Sequence, residues 1–94
     1  MYNNHMEIEF DLSKDALNIN KHNVSLADAS KLEWEYLLAK QDDRNNYGEV
    51  RMIGFAPIGS RVYCVVYTDR DNTRRIISLR KANKREVIYY ANKI

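Results

Sequence analysis

Two neighbouring cations, Arg80 and Lys81, end an alternating run, Thr73-Arg74-Arg75-Ile76-Ile77-Ser78-Leu79, and stand just before a helix-start signal at Asn83. Read as a strand, the run points Ile77 and Leu79 to one face and Ile76, Ser78 and Arg80 to the other. A strand end on a rigid scaffold aims its side chains, and the partner that suits two aimed cations is phosphate. The same pair also fits a plainer reading, solvated charges with buried stems. His22 adds a group whose ordinary pKa lies near neutrality. Arg51 adds a further cation on a separate strand pattern.

Several chemistries are excluded by inventory. The two histidines, His5 and His22, and the one cysteine, Cys64, do not make a zinc ligand set. There is no Gly-x-Ser-x-Gly elbow for a nucleophilic serine. The glycines Gly48, Gly54 and Gly59 form no phosphate-binding loop. What remains is a set of cations, one helix histidine, tyrosines and carboxylates, with no metal and no cofactor expected. Such a set suits cleavage of RNA. The substrate's 2′-hydroxyl is the nucleophile there. The protein supplies a base for its proton, cations for the dianionic phosphorane and an acid for the leaving oxygen. His22 fits acid or base, Arg51, Arg80 and Lys81 fit the phosphate, and exposed tyrosines can stack on bases. Each has an alternative: His22 as a helix-end cap, Arg51 as a strand-edge charge, Tyr63 and Tyr67 as core of a central strand.

The elements that must position these groups are legible from periodicity. Residues 7–10 alternate like a short strand. Asp11 caps a helix to about Lys21, with Leu12, Ala16 and Ile19 as its inward stripe. Lys14, Asn18, Lys21 and His22 form a second, polar stripe, which faces either a ligand or solvent. Asn23 tolerates the left-handed conformation that stops a helix. Ser25 and Asp28 signal a second short helix with Leu26, Ala29 and Leu32 inward. A strand is expected over 34–39, then a polar, mobile loop over 40–48. Strands over 50–55, 61–68 and 73–79 follow with short turns, an antiparallel meander with the middle strand central. Asn83 and Glu86 form a capping box for the last helix, which packs through Val87, Ala91 and Ile94. The expected order is β-α-α-β-β-β-β-α, an α+β domain.

At 94 residues and 45% hydrophobic, the chain supports one small domain, expected over 6–94 behind a flexible leader of residues 1–5. The net charge of +2 hides an asymmetry. Six cations meet ten acids in residues 1–60, a balance of −4, and nine cations meet three acids in 61–94, a balance of +6. A basic half suggests an anionic partner, and nucleic acid is the commonest. The apolar runs are too short for a membrane span, the start lacks signal-peptide character, and a lone strand cysteine suits a reducing compartment. A cytoplasmic location is expected.

The motifs, taken together, resemble the BrnT family, the ribonuclease toxins of type II toxin–antitoxin modules. The resemblance runs through Ile8-Glu9-Phe10-Asp11, Lys14, Asn18, Lys21-His22-Asn23-Val24-Ser25 and Gly48-Glu49-Val50-Arg51-Met52-Ile53-Gly54. It closes with Arg75-Ile76-Ile77-Ser78-Leu79-Arg80-Lys81-Ala82 and Glu86. Asn23 stands where the family usually has Gly. The resemblance implies a RelE-like fold, with helices against a twisted antiparallel sheet. It implies metal-independent RNA cleavage that inhibits translation and growth. It also implies neutralisation by a cognate BrnA-type antitoxin protein, through which alone the complex meets operator DNA. On this reading Arg80 and Arg51 stabilise the phosphorane and His22 transfers a proton. Lys21, Lys81 and Lys14 bind RNA backbone, and Tyr90 stacks or donates a proton. Two competing readings stay open: a non-catalytic RNA- or protein-binding module, and an inactive toxin that only holds its antitoxin.

Overall fold

The computed structural model of the protein describes residues 6–94. The expected leader and His5 lie outside them. Five strands form one sheet in the order β1-β5-β4-β3-β2: β1 Glu7–Glu9, β2 Leu38–Gln41, β3 Met52–Ile58, β4 Arg61–Arg70 and β5 Thr73–Lys81. Helix α1, Leu12–His22, follows β1, and α2, Lys84–Lys93, follows β5. The α+β class agrees with expectation. The wholly antiparallel sheet is corrected, because β1 pairs parallel with β5, Glu7 opposite Thr73. The sheet is therefore mixed. The second helix is also tighter than expected, a 3₁₀ helix over Leu26–Lys31. Residues 34–39 are not one strand: they open as a second 3₁₀ turn, Trp34–Tyr36, before β2 begins. The turn lets the Trp34 ring drop into the core and donate its indole N–H to the Ala29 carbonyl at 3.1 Å.

One face of the sheet carries the core. Val24, Leu26, Ala29, Leu32 and Trp34 cover Ala56, Val65, Tyr67, Ile76 and Leu79. Trp34 meets Tyr67 edge to face, ring centres 5.6 Å apart, a favoured aromatic geometry. The Arg74 guanidinium stacks over both rings at 4.7 and 4.4 Å and forms a forked ion pair with Asp69. Residues 64–68 of β4 are buried on both faces, as a central strand requires.

The simple alternation expected for β5 does not hold. Val66 pairs with Ser78 but Tyr67 pairs with Ile76, so Ile77 is an extra residue in the ladder. Such a bulge reverses the facing of everything beyond it. Ile76 and Leu79 both enter the core, where strict alternation would have parted them. Ser78 and Arg80 leave from the opposite face, across from Val66 and Cys64.

Helix α1 also departs from expectation. Asp11 caps it, accepting the Ser13 and Lys14 N–H groups at 2.8 and 3.2 Å, and Asn23 ends it at φ 60°. The stripe expected to face inward is exposed, with Leu12 at 79% and Ile19 at 43%. The polar stripe faces the protein. The buried Asn18 amide donates to the carbonyls of Val24 and Leu79, both at 2.8 Å. Asp15 accepts from the Ser25 hydroxyl and the Leu26 N–H. Directed hydrogen bonds, not apolar burial, dock this helix.

In α2 the capping box forms as expected: the Asn83 side chain accepts the Glu86 N–H, and Glu86 accepts the Asn83 N–H, both at 2.9 Å. Its packing does not follow the expected stripe, since Val87 and Ile94 are exposed. Tyr90, Tyr89 and Glu86 hold the helix instead. No helix among the described residues is long and apolar enough to cross a membrane.

Candidate active site

The sheet face away from the core holds the first of the candidate residues. Arg80 projects from it near the end of β5, opposite Cys64. Its guanidinium forms a forked pair with Glu86, at 2.8 and 2.9 Å. That pair, and the Asn83 N–H, hold the Glu86 carboxyl below its usual range and keep Arg80 firmly protonated. Glu86 thus serves as helix cap and as arginine clamp.

His22 ends α1 beside this arginine. Burial is the main influence that lowers its pKa, and the charges of Lys21 and Arg80 lower it further. These influences favour the uncharged ring. A cleft of about 210 Å³ lies between α1 and β5, lined by Lys14, Leu17, Asn18, Lys21, His22 and Ser78, with Ile77 beside them. So the structure brings together Lys14, Lys21, His22 and the Arg80 charge. The polar stripe of α1 faces a cleft, not only solvent.

The other expected residues fall elsewhere. Lys81 follows Arg80 by one residue, so it leaves the sheet on the opposite face and is exposed. The two adjacent cations are not aimed together. Arg51 shares Arg80's face but lies at the far end of β4. It precedes Met52, which pairs with Tyr67, whereas Arg80 pairs with Cys64. At roughly 3.3 Å per residue, the two arginines stand about 13 Å apart along β4, on opposite sides of it. Arg51 pairs with Glu49 at 3.2 Å and stacks on the Tyr47 ring at 4.0 Å. Tyr90 is only 4% exposed, and its hydroxyl donates to the Tyr36 carbonyl at 2.7 Å. Burial raises its pKa. Its ring offers no stacking surface, and its hydroxyl ties α2 to the turn before β2.

Residues 42–48 contribute what the sequence reading missed. This loop, expected to be mobile, is organised around the buried Asp42. The carboxylate takes two hydrogen bonds from Arg44, at 2.7 and 2.8 Å, and one from the Tyr47 hydroxyl at 3.3 Å. The Asp42 N–H donates to the Arg51 carbonyl at 2.7 Å. The Arg44 guanidinium, held by Asp42, lies near enough for its charge to be felt weakly at Cys64 and Arg80. The one available signal was the Asp-x-Arg spacing inside a loop, which is weak alone. Cys64 is buried as expected, and burial pushes its thiol up to about 11, so it is no nucleophile at neutral pH. Among the described residues, no three His, Cys, Asp or Glu side chains gather as a metal site.

A second cleft, about 350 Å³, opens under α2 on the same face. Leu38, Ile53, Phe55 and Tyr89 give it apolar walls, and Lys40, Arg85 and Glu86 supply charge. Glu86 lines this cleft and grips Arg80, so the cleft adjoins the cationic site.

No curated protein matches the chain. A family model matches residues 10–86, a span that contains Lys14, Lys21, His22, Arg44, Arg51, Arg80 and Glu86 and stops short of Tyr89 and Tyr90. Its description is a ribonuclease toxin, BrnT, of type II toxin–antitoxin systems. With most of its length inside that match, the chain belongs to the family of BrnT ribonuclease toxins of type II toxin–antitoxin systems.

Proposed function

We propose that the protein is a metal-independent endoribonuclease whose centre is Arg80 with His22. The observation that carries this reading is the placement of His22, which lines one cleft with Lys14 and Lys21 and lies within the field of the Arg80 guanidinium. His22 takes the proton of the substrate 2′-hydroxyl. The freed oxygen attacks the phosphorus, Arg80 stabilises the charge of the phosphorane, and the bond to the 5′-oxygen breaks. The 5′-oxygen takes a proton from solvent water, His22 later returns its own proton to solvent, and a 2′,3′-cyclic phosphate remains on the other product. Lys14 and Lys21 hold the backbone on the α1 side. Arg51 and Arg44 act on phosphates further along the strand. Lys81, on the other sheet face, adds only to the general attraction for RNA.

In the cell, cleavage inhibits translation and growth in the cytoplasm. A BrnA-type antitoxin neutralises the protein by covering the basic face with an acidic or amphipathic segment. The complex meets operator DNA through the antitoxin alone. The sheet with helices at both ends of the chain supports a RelE-like arrangement with a parallel edge strand added.

The test is cleavage of single-stranded RNA by purified protein in EDTA, with 5′-ends mapped. Cleavage should persist in EDTA and fall by about 10²–10³-fold in Arg80→Ala, the loss typical of one charge-stabilising donor. RNA that is bound but left intact by the native protein sinks the catalytic reading and leaves a binding module. Growth arrest on induced expression, rescued by the antitoxin, is the expected cellular result.

A further inference from the structure

We propose that the cleft under α2 is a nucleobase subsite, and that it sets the base preference of cleavage. This rests on the endoribonuclease reading and adds to it. Phe55 on β3 and Tyr89 on α2 meet at an angle of 67°, ring centres 6.0 Å apart, and form the aromatic part of the cleft. Tyr89 is 43% exposed, so an incoming ring has an accessible aromatic partner. Leu38 and Ile53 complete the apolar lining.

The charges select the ligand. Lys40 and Arg85 line the cleft, and neither has an ion-pair partner among the described residues. Lys93 adds an ammonium 5.8 Å from the Tyr89 ring. Apolar, aromatic walls under cations fit a planar base attached to phosphates. The volume, about 350 Å³, lies at the low end of ligand pockets. It is of a size to take one nucleoside. Position completes the case. Glu86 is part of the cleft lining and holds Arg80 at 2.8 Å. A base seated under α2 therefore brings its neighbouring phosphate to the arginine.

The experiment compares native protein, Tyr89→Leu, Phe55→Leu and the Lys40→Gln/Arg85→Gln pair, each checked for folding by thermal melting. The probes are 2′-O-methyl hexanucleotides of each of the four bases, which bind and cannot be cut, and a randomised RNA whose new ends are sequenced. Loss of a stacking partner should weaken binding of the preferred homopolymer about 5- to 100-fold. It should also flatten the base preference at one position next to the cut. The cation pair should lower the slope of log affinity against log salt by about two. If both leucine variants fold and keep native affinity and base preference, while Arg80→Ala still stops cleavage, the subsite is overturned and the ribonuclease stands. Variants that change only affinity for the antitoxin overturn it too and assign the cleft to that protein. Native protein that cuts no RNA defeats the parent reading, and the subsite with it.

Discussion

The side chain of Asn18 stands in for a β-strand beside Leu79. Its amide donates to the Leu79 carbonyl at 2.8 Å, and its oxygen accepts the Leu79 N–H at 3.3 Å. β1 pairs with β5 only as far as Arg75, so the upper part of β5 has an open edge. Asn18 closes it and takes the Val24 carbonyl as well. With Asp15, which holds the Leu26 N–H, it sets α1, and His22 with it, against β5. Asn18→Leu keeps the volume but leaves the Leu79 and Val24 groups without partners. The expected loss is about 2–4 kcal/mol, since an unmet buried group costs about 1–3 kcal/mol. Urea unfolding measures it, and a midpoint equal to the native one defeats the assignment.

Gly54 is required by its neighbours, not by its backbone angle. A Cβ there would lie 2.8 Å from the Leu37 Cδ1 and 2.9 Å from the Ala39 Cβ. The Leu38 carbonyl at 3.0 Å adds a backbone obstacle. Gly54→Ala should therefore push β2 off β3, costing about 1–3 kcal/mol as overpacking does. A melting temperature lower by several degrees or more is expected at about 4–8 °C per kcal/mol for a domain of this size. An unchanged melting temperature means β2 adjusts freely.

Asp42 makes the loop between β2 and β3 acid-sensitive. The Arg44 hydrogen bonds hold its carboxyl at about 2, below an ordinary 3.8. The folded pKa is depressed, so the charged form is the one that stabilises the fold. That contribution is complete above 3.8 and fades as pH falls towards 2. Asp42→Asn should be less stable than native protein at pH 6, and the gap should close on acidification through that window. Urea midpoints across the range decide it, and a gap independent of pH rules out the ion pair as its cause.

The same residues show how far the sequence could be read. Strand and helix signals that rest on local chemistry came through: the Asp11 cap, the Asn23 stop and the Asn83–Glu86 box are all in place. What failed depended on non-local pairing. The bulge at Ile77 is invisible in an alternating run, because either register leaves apolar residues facing a core. The parallel partner of β1 lies more than sixty residues away in the chain. The α1 stripe misled because amphipathic spacing predicts a buried apolar face, whereas Asn18 and Asp15 bury the polar one. Among the candidate residues, the sequence named side-chain types but not the directions in which they point. Arg80 and His22 share a region, Lys81 points away and Tyr90 is enclosed.

His22 gives the proposed reaction a distinctive pH profile. Burial and two neighbouring cations depress its pKa below 6.5. As a proton acceptor it works in the neutral form, so kcat/KM should rise with pH along an acid limb whose midpoint lies below 6.5. The stability sign runs the same way: the unfolded chain binds the His22 proton more readily, so stability also rises with pH just below 6.5. His22→Gln should remove the acid limb of the rate profile and lower the rate about 10²–10⁴-fold. A native profile whose limb survives His22→Gln assigns proton transfer to another group.

Arg51 and Arg80 should separate kinetically because the sheet separates them. They stand about 13 Å apart along β4, too far for both to grip one phosphorane from relaxed positions. Arg80 lies beside His22, the proposed centre of cleavage, whereas Arg51 is braced by Glu49 and Tyr47 at the other end of the face. Removing Arg80 should lower kcat with little change in KM, the mark of an interaction made in the transition state. Removing Arg51 should raise KM and reduce the salt dependence of binding by about one phosphate, leaving kcat within a few-fold. Single-turnover cleavage by Arg80→Ala and Arg51→Ala measures both terms. An equal drop in kcat for the two variants would place both arginines on the same phosphate, and would require residues 42–51 to close over the substrate, carrying Arg51 towards Arg80.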